Sequence, residues 1–165
     1  MNELRALATI GTLDESMSYS DRPTVKVIIK KGDTVLLLNN GLLPGGGVEE
    51  SESDSDAVAR ELQEEIGVTV QDVQLIGTVI QYRNFLEKKY IINGYTAVLS
   101  SANEPTNPQD EGEANFSQVW LTVDEALEFI AKAIESAKVK PMDSDLNQGR
   151  LYNLMTGYEL LRQLV

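Results

Sequence analysis

An α/β sandwich, with helices on both faces of a mixed β-sheet, is the fold this sequence predicts. Three observations predict it. Residues 24–30 alternate, with Val25, Val27 and Ile29 on one face, as a half-buried strand does. The period then changes to helical before residue 68, where Val58, Leu62 and Ile66 recur at a spacing of four. Two further helical stripes close the chain, after a second group of strand patterns.

Taken in order, residues 1–22 read as an N-terminal extension with a short helix near residues 3–8, and residues 23–165 read as one domain. Lys31-Gly32-Asp33 turns the first strand into a second over residues 35–38. Asn39-Asn40-Gly41 turns again, towards Leu43-Pro44-Gly45-Gly46-Gly47. Those glycines read as a turn whose backbone approaches something closely, not as strand or helix interior. Ser53 is placed to cap a helix, with Asp54 and Asp56 in its first turn. Residues 73–83 and 89–100 read as a long hairpin turning at 84–88, followed by a polar loop over 101–114. Residues 116–121 form a strand. Thr122 with Glu125 is a capping box, starting a helix whose buried stripe is Leu127, Ile130, Ala131 and Ile134. A linker over 138–143 leads to a last helix at 145–164, its stripe being Leu151, Leu154, Met155, Tyr158 and Leu161.

Composition narrows the chemistry. The 165 residues contain no cysteine and no histidine. Disulfides, thiolate metal sites, Ser-His-Asp catalysis and His-ligated metals are thereby excluded. The net charge of −12 disfavours nucleic-acid polymers and anionic membranes as partners. It leaves room for a small phosphate substrate, because bound cations invert the local sign. Residues 1–20 lack the basic start and apolar segment of a signal peptide, and no stretch approaches 18 apolar residues. A cytoplasmic soluble protein is the expectation.

Carboxylate chemistry is what remains, and the segment from Gly46 to Val68 supplies it. Glu61, Glu64 and Glu65 stand at i, i+3 and i+4, so one helix face presents all three. Placing Glu61 at 0° puts Glu64 at about −60° and Glu65 at about +40°, while Val58, Ala59, Leu62 and Ile66 occupy roughly 60–160°. At Cβ spacings of 5–6 Å each ionised pair repels by about 3 kcal/mol at an effective dielectric of ~20, an upper bound in solvent and salt. A hard divalent cation turns that cost into a gain, and magnesium favours oxygen donors with retained water. A solvated helix face is the simpler reading of glutamates alone. The glycine turn directly upstream is what argues for a metal–phosphate site. A calcium loop counted from Asp54 fails, because Val58 and Ala59 fall where a ligand and a glycine are needed.

The same segment resembles the Nudix box. Gly46, Glu52, Arg60, Glu61, Leu62, Glu64, Glu65, Gly67 and Val68 fill its constrained positions at the required spacing. One departure is Ser51, where many members carry glycine. The resemblance implies a Nudix-type α/β/α sandwich and metal-dependent hydrolysis of a nucleoside diphosphate linked to another group. It implies that Glu61, Glu64, Glu65 and the Gly45 carbonyl hold Mg²⁺ or Mn²⁺. Glu52 would brace the loop or reach the metal through water, and Arg60 would orient the glutamates. The general base stays open between a helix glutamate and a later-loop acid, for which Glu111 and Glu113 are the candidates. A homodimer is in keeping with the resemblance.

Substrate identity is less legible. Where a proline would hint at ADP-ribose stands Arg83, and the extended marks of NADH and coenzyme A types are absent. Tyr82 lies only near the position of the tyrosine linked to dinucleoside polyphosphates. A nucleoside triphosphate or similar nucleotide is therefore favoured. Arg22, Tyr82, Arg83 and Phe85, with Lys88 and Lys89 beside them, are the candidate substrate contacts, because cations are scarce here and these stand near aromatics. An ordinary charged hairpin tip is the competing reading. A Nudix-fold nucleotide sensor without turnover is the alternative function, and the complete glutamate set argues against it.

Overall fold

The computed structural model describes residues 6–102 and 117–165. Seven strands and three α-helices form there: β1 (Ala8–Ile10), β2 (Ser20–Lys31), β3 (Thr34–Leu38), β4 (Gly45–Gly47), α1 (Asp54–Ile66), β5 (Val68–Arg83), β6 (Lys88–Ala102), β7 (Gln118–Thr122), α2 (Val123–Lys138) and α3 (Asp145–Leu161). The strands make one mixed sheet in the order β1-β5-β6-β2-β3-β7, with β4 added beside β2. β2 runs parallel to β6, and β1 parallel to β5; the other pairings are antiparallel.

The two faces of the sheet bury separate cores. On one face Val25, Val27, Ile29, Leu36 and Leu38 pack against Ala57, Val58, Leu62 and Ile66 of α1. On the other, Ile28, Val35, Leu37 and Val79 pack against Ile130 of α2 and Leu151, Leu154, Leu160 and Leu161 of α3. The alternation of β2 generates this division, because successive side chains leave a strand on opposite faces. The expected α/β/α sandwich is therefore the observed fold.

Helix boundaries follow their caps. Ser53 accepts from the Asp56 amide at the start of α1, and Gly67 closes it in the left-handed conformation (φ 66°), returning its N–H to Gln63 and Leu62. Thr122 and Glu125 form the expected reciprocal capping box at α2. α3 buries Gly149, Thr156, Gly157 and Leu160 besides its leucine stripe, because it packs against both the sheet and α2.

Several expectations need correction. The helix near residues 3–8 is absent where the chain is described: Ala8 already begins β1, which pairs with Val79–Gln81 and buries Ile10. Residues 1–5 lie outside the described part. The triple glycine is not a free turn. It is a short strand paired with Thr24–Lys26 of β2, and only glycine permits it there: Gly45 has φ 140°, and a Cβ would stand 2.1 Å from the Val25 carbonyl oxygen. Along α1, Ala57 is buried and Ala59 is exposed, so the covered arc extends further towards the glutamates than the apolar pattern alone indicates. β5 starts five residues earlier than read, since register shifts let it keep pairing through an irregular segment. Trp120 is partly buried against the α1-side core, with the Lys31 ammonium 4.5 Å from its ring centroid.

Candidate functional site

α1 delivers its acidic face onto β4. A Cβ on Gly46 would come within 2.5 Å of the Glu61 carboxyl group, so this carboxylate rests directly on bare main chain. One turn further, Glu65 Oε2 accepts the Gly45 N–H at 3.1 Å. The close approach explains Gly46, where a side chain would push the helix away, while a side chain on Gly45 would run into the β2 backbone.

Arg60 organises the remaining acids. Its Nε and Nη2 donate to the two carboxylate oxygens of Glu52 at 2.8 and 2.9 Å, a bidentate pair. Nη1 donates to Glu61 at 2.8 Å and to Glu64 at 3.4 Å, and Nη2 donates to the Gly47 carbonyl at 2.9 Å. All five guanidinium N–H donors are thus engaged. The Glu52 carboxylate, 13% exposed, also accepts the Glu49 amide. The hydrogen bonds from Arg60 are the main reason that the Glu52 carboxyl titrates at about 2, far below its ordinary 4.5. In return, the bond to Glu52 raises the Arg60 guanidinium pKa.

These groups border a cleft of about 510 Å³, lined by Arg22, Gly45–Gly47, Val48, Glu49, Glu50, Arg60, Glu61, Glu64 and Glu65. Five carboxylates face two guanidiniums there, leaving a deficit of three positive charges. Among the described residues no three acidic side chains already converge on one point; Glu61 and Glu64 are turned to Arg60. The donor set consists of hard oxygens held close to main chain, which suits a hydrated divalent cation.

The other predicted residues are distributed more widely. Arg22 is in the cleft, its guanidinium lying against Gly47. Arg83 is not: it is 7% exposed on the α3 side, bonded to Gln81 and Asn153, 3.8 Å from Asp145 and 4.2 Å over the Tyr90 ring. Burial lowers its pKa, opposed by the negative field of its neighbours. Tyr82 packs edge-to-face with Tyr19, 5.2 Å between centroids. Phe85 is exposed on the Asn84–Leu86 turn at the hairpin tip, and neither it nor Tyr82 lines the cleft. Lys88 and Lys89 pair beside that tip, opposite Arg83 and Tyr82. Glu111, Glu113 and the start of the strand read at residue 116 lie outside the described residues. Sequence reasoning missed Glu49 and Glu50 as cleft walls, although their place directly after the glycines was a signal.

Residues 20–142 match the NUDIX domain family, three-quarters of the chain. The chain belongs to the NUDIX family. NUDIX proteins generally use divalent metal ions. Among solved structures, a NUDIX hydrolase from Nitrosomonas europaea superposes with a TM-score of 0.55 at 20% identity, covering 84% of this chain and 91% of that one. A MutT NUDIX hydrolase from Burkholderia pseudomallei gives 0.51 at 17% identity, covering 81% and 98%. Both establish the fold. An RNA pyrophosphohydrolase from Hydrogenovibrio crunogenus is 33% identical over 81 residues, which is 46% of this chain and 49% of that relative. The chain spans about half the length of the curated relatives it matches. Among the described residues no helix is long and apolar enough to cross a membrane.

The box departure at Ser51 has a measurable consequence. Ser51 has φ 66°, in the left-handed region that costs a side chain about 1–2 kcal/mol. Glycine removes that cost and returns about 0.4–1 kcal/mol through unfolded-state entropy. Ser51→Gly is expected to stabilise the protein by roughly 0.5–1 kcal/mol in urea denaturation; a loss of stability would contradict the strain. The Glu52 pair sets a pH window. Its folded pKa lies below its unfolded one, so its contribution is fully present above pH 4.5 and disappears as pH falls to about 2. The difference in thermal midpoint between wild type and Glu52→Gln should be constant above that window and close within it. A gap that does not depend on pH would refute the assignment.

Proposed function

We propose that this NUDIX protein hydrolyses the pyrophosphate bond of a nucleoside diphosphate linked to another group, in a Mg²⁺-dependent reaction that Mn²⁺ also supports. Nucleoside triphosphates or similar small nucleotides are the favoured substrates. The observation that carries this reading is the charge deficit of the cleft: a diphosphate would be repelled by five carboxylates unless divalent ions entered with it. Glu61, Glu64, Glu65 and the Gly45 carbonyl are the proposed ligands. When bound, the ions would neutralise phosphate charge and acidify a water.

The chain's own residues do the positioning that in-line phosphoryl chemistry requires. Arg60 fixes Glu61 and Glu64 and ties them to Gly47. With its donors consumed, Arg60 itself is unsuited to grip substrate. Glu52 holds Arg60 in place and stays ionised throughout the neutral range. Arg22 is the other guanidinium facing the cleft, and it is the proposed phosphate contact. The proton acceptor is one of the helix glutamates or a later-loop acid such as Glu111 or Glu113.

Hydrolysis of a pyrophosphate bond carried by RNA is the second reading. The similarity to an RNA pyrophosphohydrolase over 81 residues favours it. The net charge of −12 works against a long polyanion, because each phosphate contact must come from a cation. A panel of nucleoside triphosphates, diphosphate conjugates and a 5′-triphosphorylated oligoribonucleotide, assayed with Mg²⁺ and with Mn²⁺ in ¹⁸O-water, separates the two. Mass analysis of the products locates the attacked phosphorus. Glu64→Gln and Glu65→Gln should each lower turnover by about 10²-fold or more with the fold intact. Near-normal rates in both variants would remove these glutamates from the mechanism.

A further inference from the structure

Asp54 lies seven residues before Glu61 and eleven before Glu65. At 100° per residue Glu61 and Glu65 each stand within about 20° of Asp54, on either side of it, so the three form one stripe along α1. Every acid of that stripe meets a donor or bare backbone on the sheet. Glu61 rests on Gly46, and Glu65 accepts from Gly45. At the other end Asp54 Oδ2 accepts from Asn93 Nδ2 at 2.9 Å and from the Tyr95 hydroxyl. Asn93 is in turn fixed by the Thr78 hydroxyl at 2.7 Å. Burial, then the bond to Asp54, raises the Tyr95 pKa and keeps that hydroxyl protonated as a donor.

The sheet register gives this contact a length. Thr78, Asn93, Val25 and Gly46 are successive partners across β5, β6, β2 and β4. From Asn93 to Gly46 is two strand spacings, about 9.6 Å. From Asp54 to Glu61 is seven helical rises, about 10.5 Å. The helix therefore lies along this row, pinned on β6 at one end and touching β4 at the other.

We infer that Asp54, held by Asn93 and Tyr95, is a positioning residue that sets where α1 stops along the row and so where Glu61 and Glu65 meet the glycine strand. The inference deepens the proposed metal site and rests on it for its functional meaning. The tolerance is small, because Gly46 leaves no slack beneath Glu61. Sequence alone offered one signal, the polar pair Asn93 and Tyr95 two residues apart on one face of a strand.

The test uses the full chain with Asn93→Ala and Tyr95→Phe combined. Its control is Ile130→Val in α2, which trims the opposite core; both are compared at temperatures the same distance below their thermal midpoints. The first readout is hydrogen exchange of the Gly45 amide in the metal-free protein. About tenfold faster exchange in the double variant than in the control supports the inference; equal exchange overturns it. The second readout is the affinity for Mn²⁺ alone, expected to fall about tenfold in the double variant and to hold in the control. Unchanged affinity in the double variant would overturn the link to the metal site. Wild-type protein that takes up no Mn²⁺ would instead sink the metal reading, and Gly45 exchange would still decide the positioning.

Discussion

The Arg60 guanidinium is the interaction on which the site depends. Glu52, Glu61 and Glu64 would repel one another if brought together alone, by an amount comparable to a sizeable part of a domain's net stability. Arg60 offsets that repulsion with four charge-assisted hydrogen bonds and spends its fifth donor on the Gly47 carbonyl. One side chain thus joins the loop, the helix and the glycine strand. Lysine could not reproduce this, because a single ammonium lacks the planar fork that meets Glu52 at two points.

A second constraint comes from the sheet. The helix can lie close to β4 because Gly46 presents no side chain to it, and β4 can pair with β2, beyond the contact of β2 with β3, because Gly45 carries no Cβ against the Val25 carbonyl. The same geometry places dense negative charge over main chain that carries no side chains, an arrangement that bound cations would favour. Elsewhere the chain uses a different device for a buried charge. Arg83 is enclosed below α3 by Gln81, Asn153 and Tyr90, with Asp145 nearby, so that a desolvated guanidinium stays matched.

Much of this was legible because it is local. Alternation in β2, the Thr122 capping box and the i, i+3, i+4 glutamates depend on neighbours within one element, and sequence carries such patterns directly. What was not legible depends on contacts between distant segments. The triple glycine looks like a turn until β2 is alongside it. Ala8–Ile10 has no strong strand pattern and becomes a strand because β5 offers it an edge. Arg83 reads as an available cation at a hairpin tip, yet α3 arrives from seventy residues away to cover it. In the site, box spacing indicated that Glu52, Arg60 and the helix glutamates belong together. It did not indicate the presence of Glu49 and Glu50 in the cleft wall, nor that Asp54 would reach across to β6.

The most direct measurement is an anomalous difference map from a crystal of the metal-free protein soaked in Mn²⁺. Peaks beside the Gly45 main chain, bounded by Glu61, Glu64 and Glu65 with Arg60 still holding Glu52, are what the account predicts. An intact cleft without a peak, at a Mn²⁺ concentration that fills other carboxylate sites in the same crystal, would contradict it.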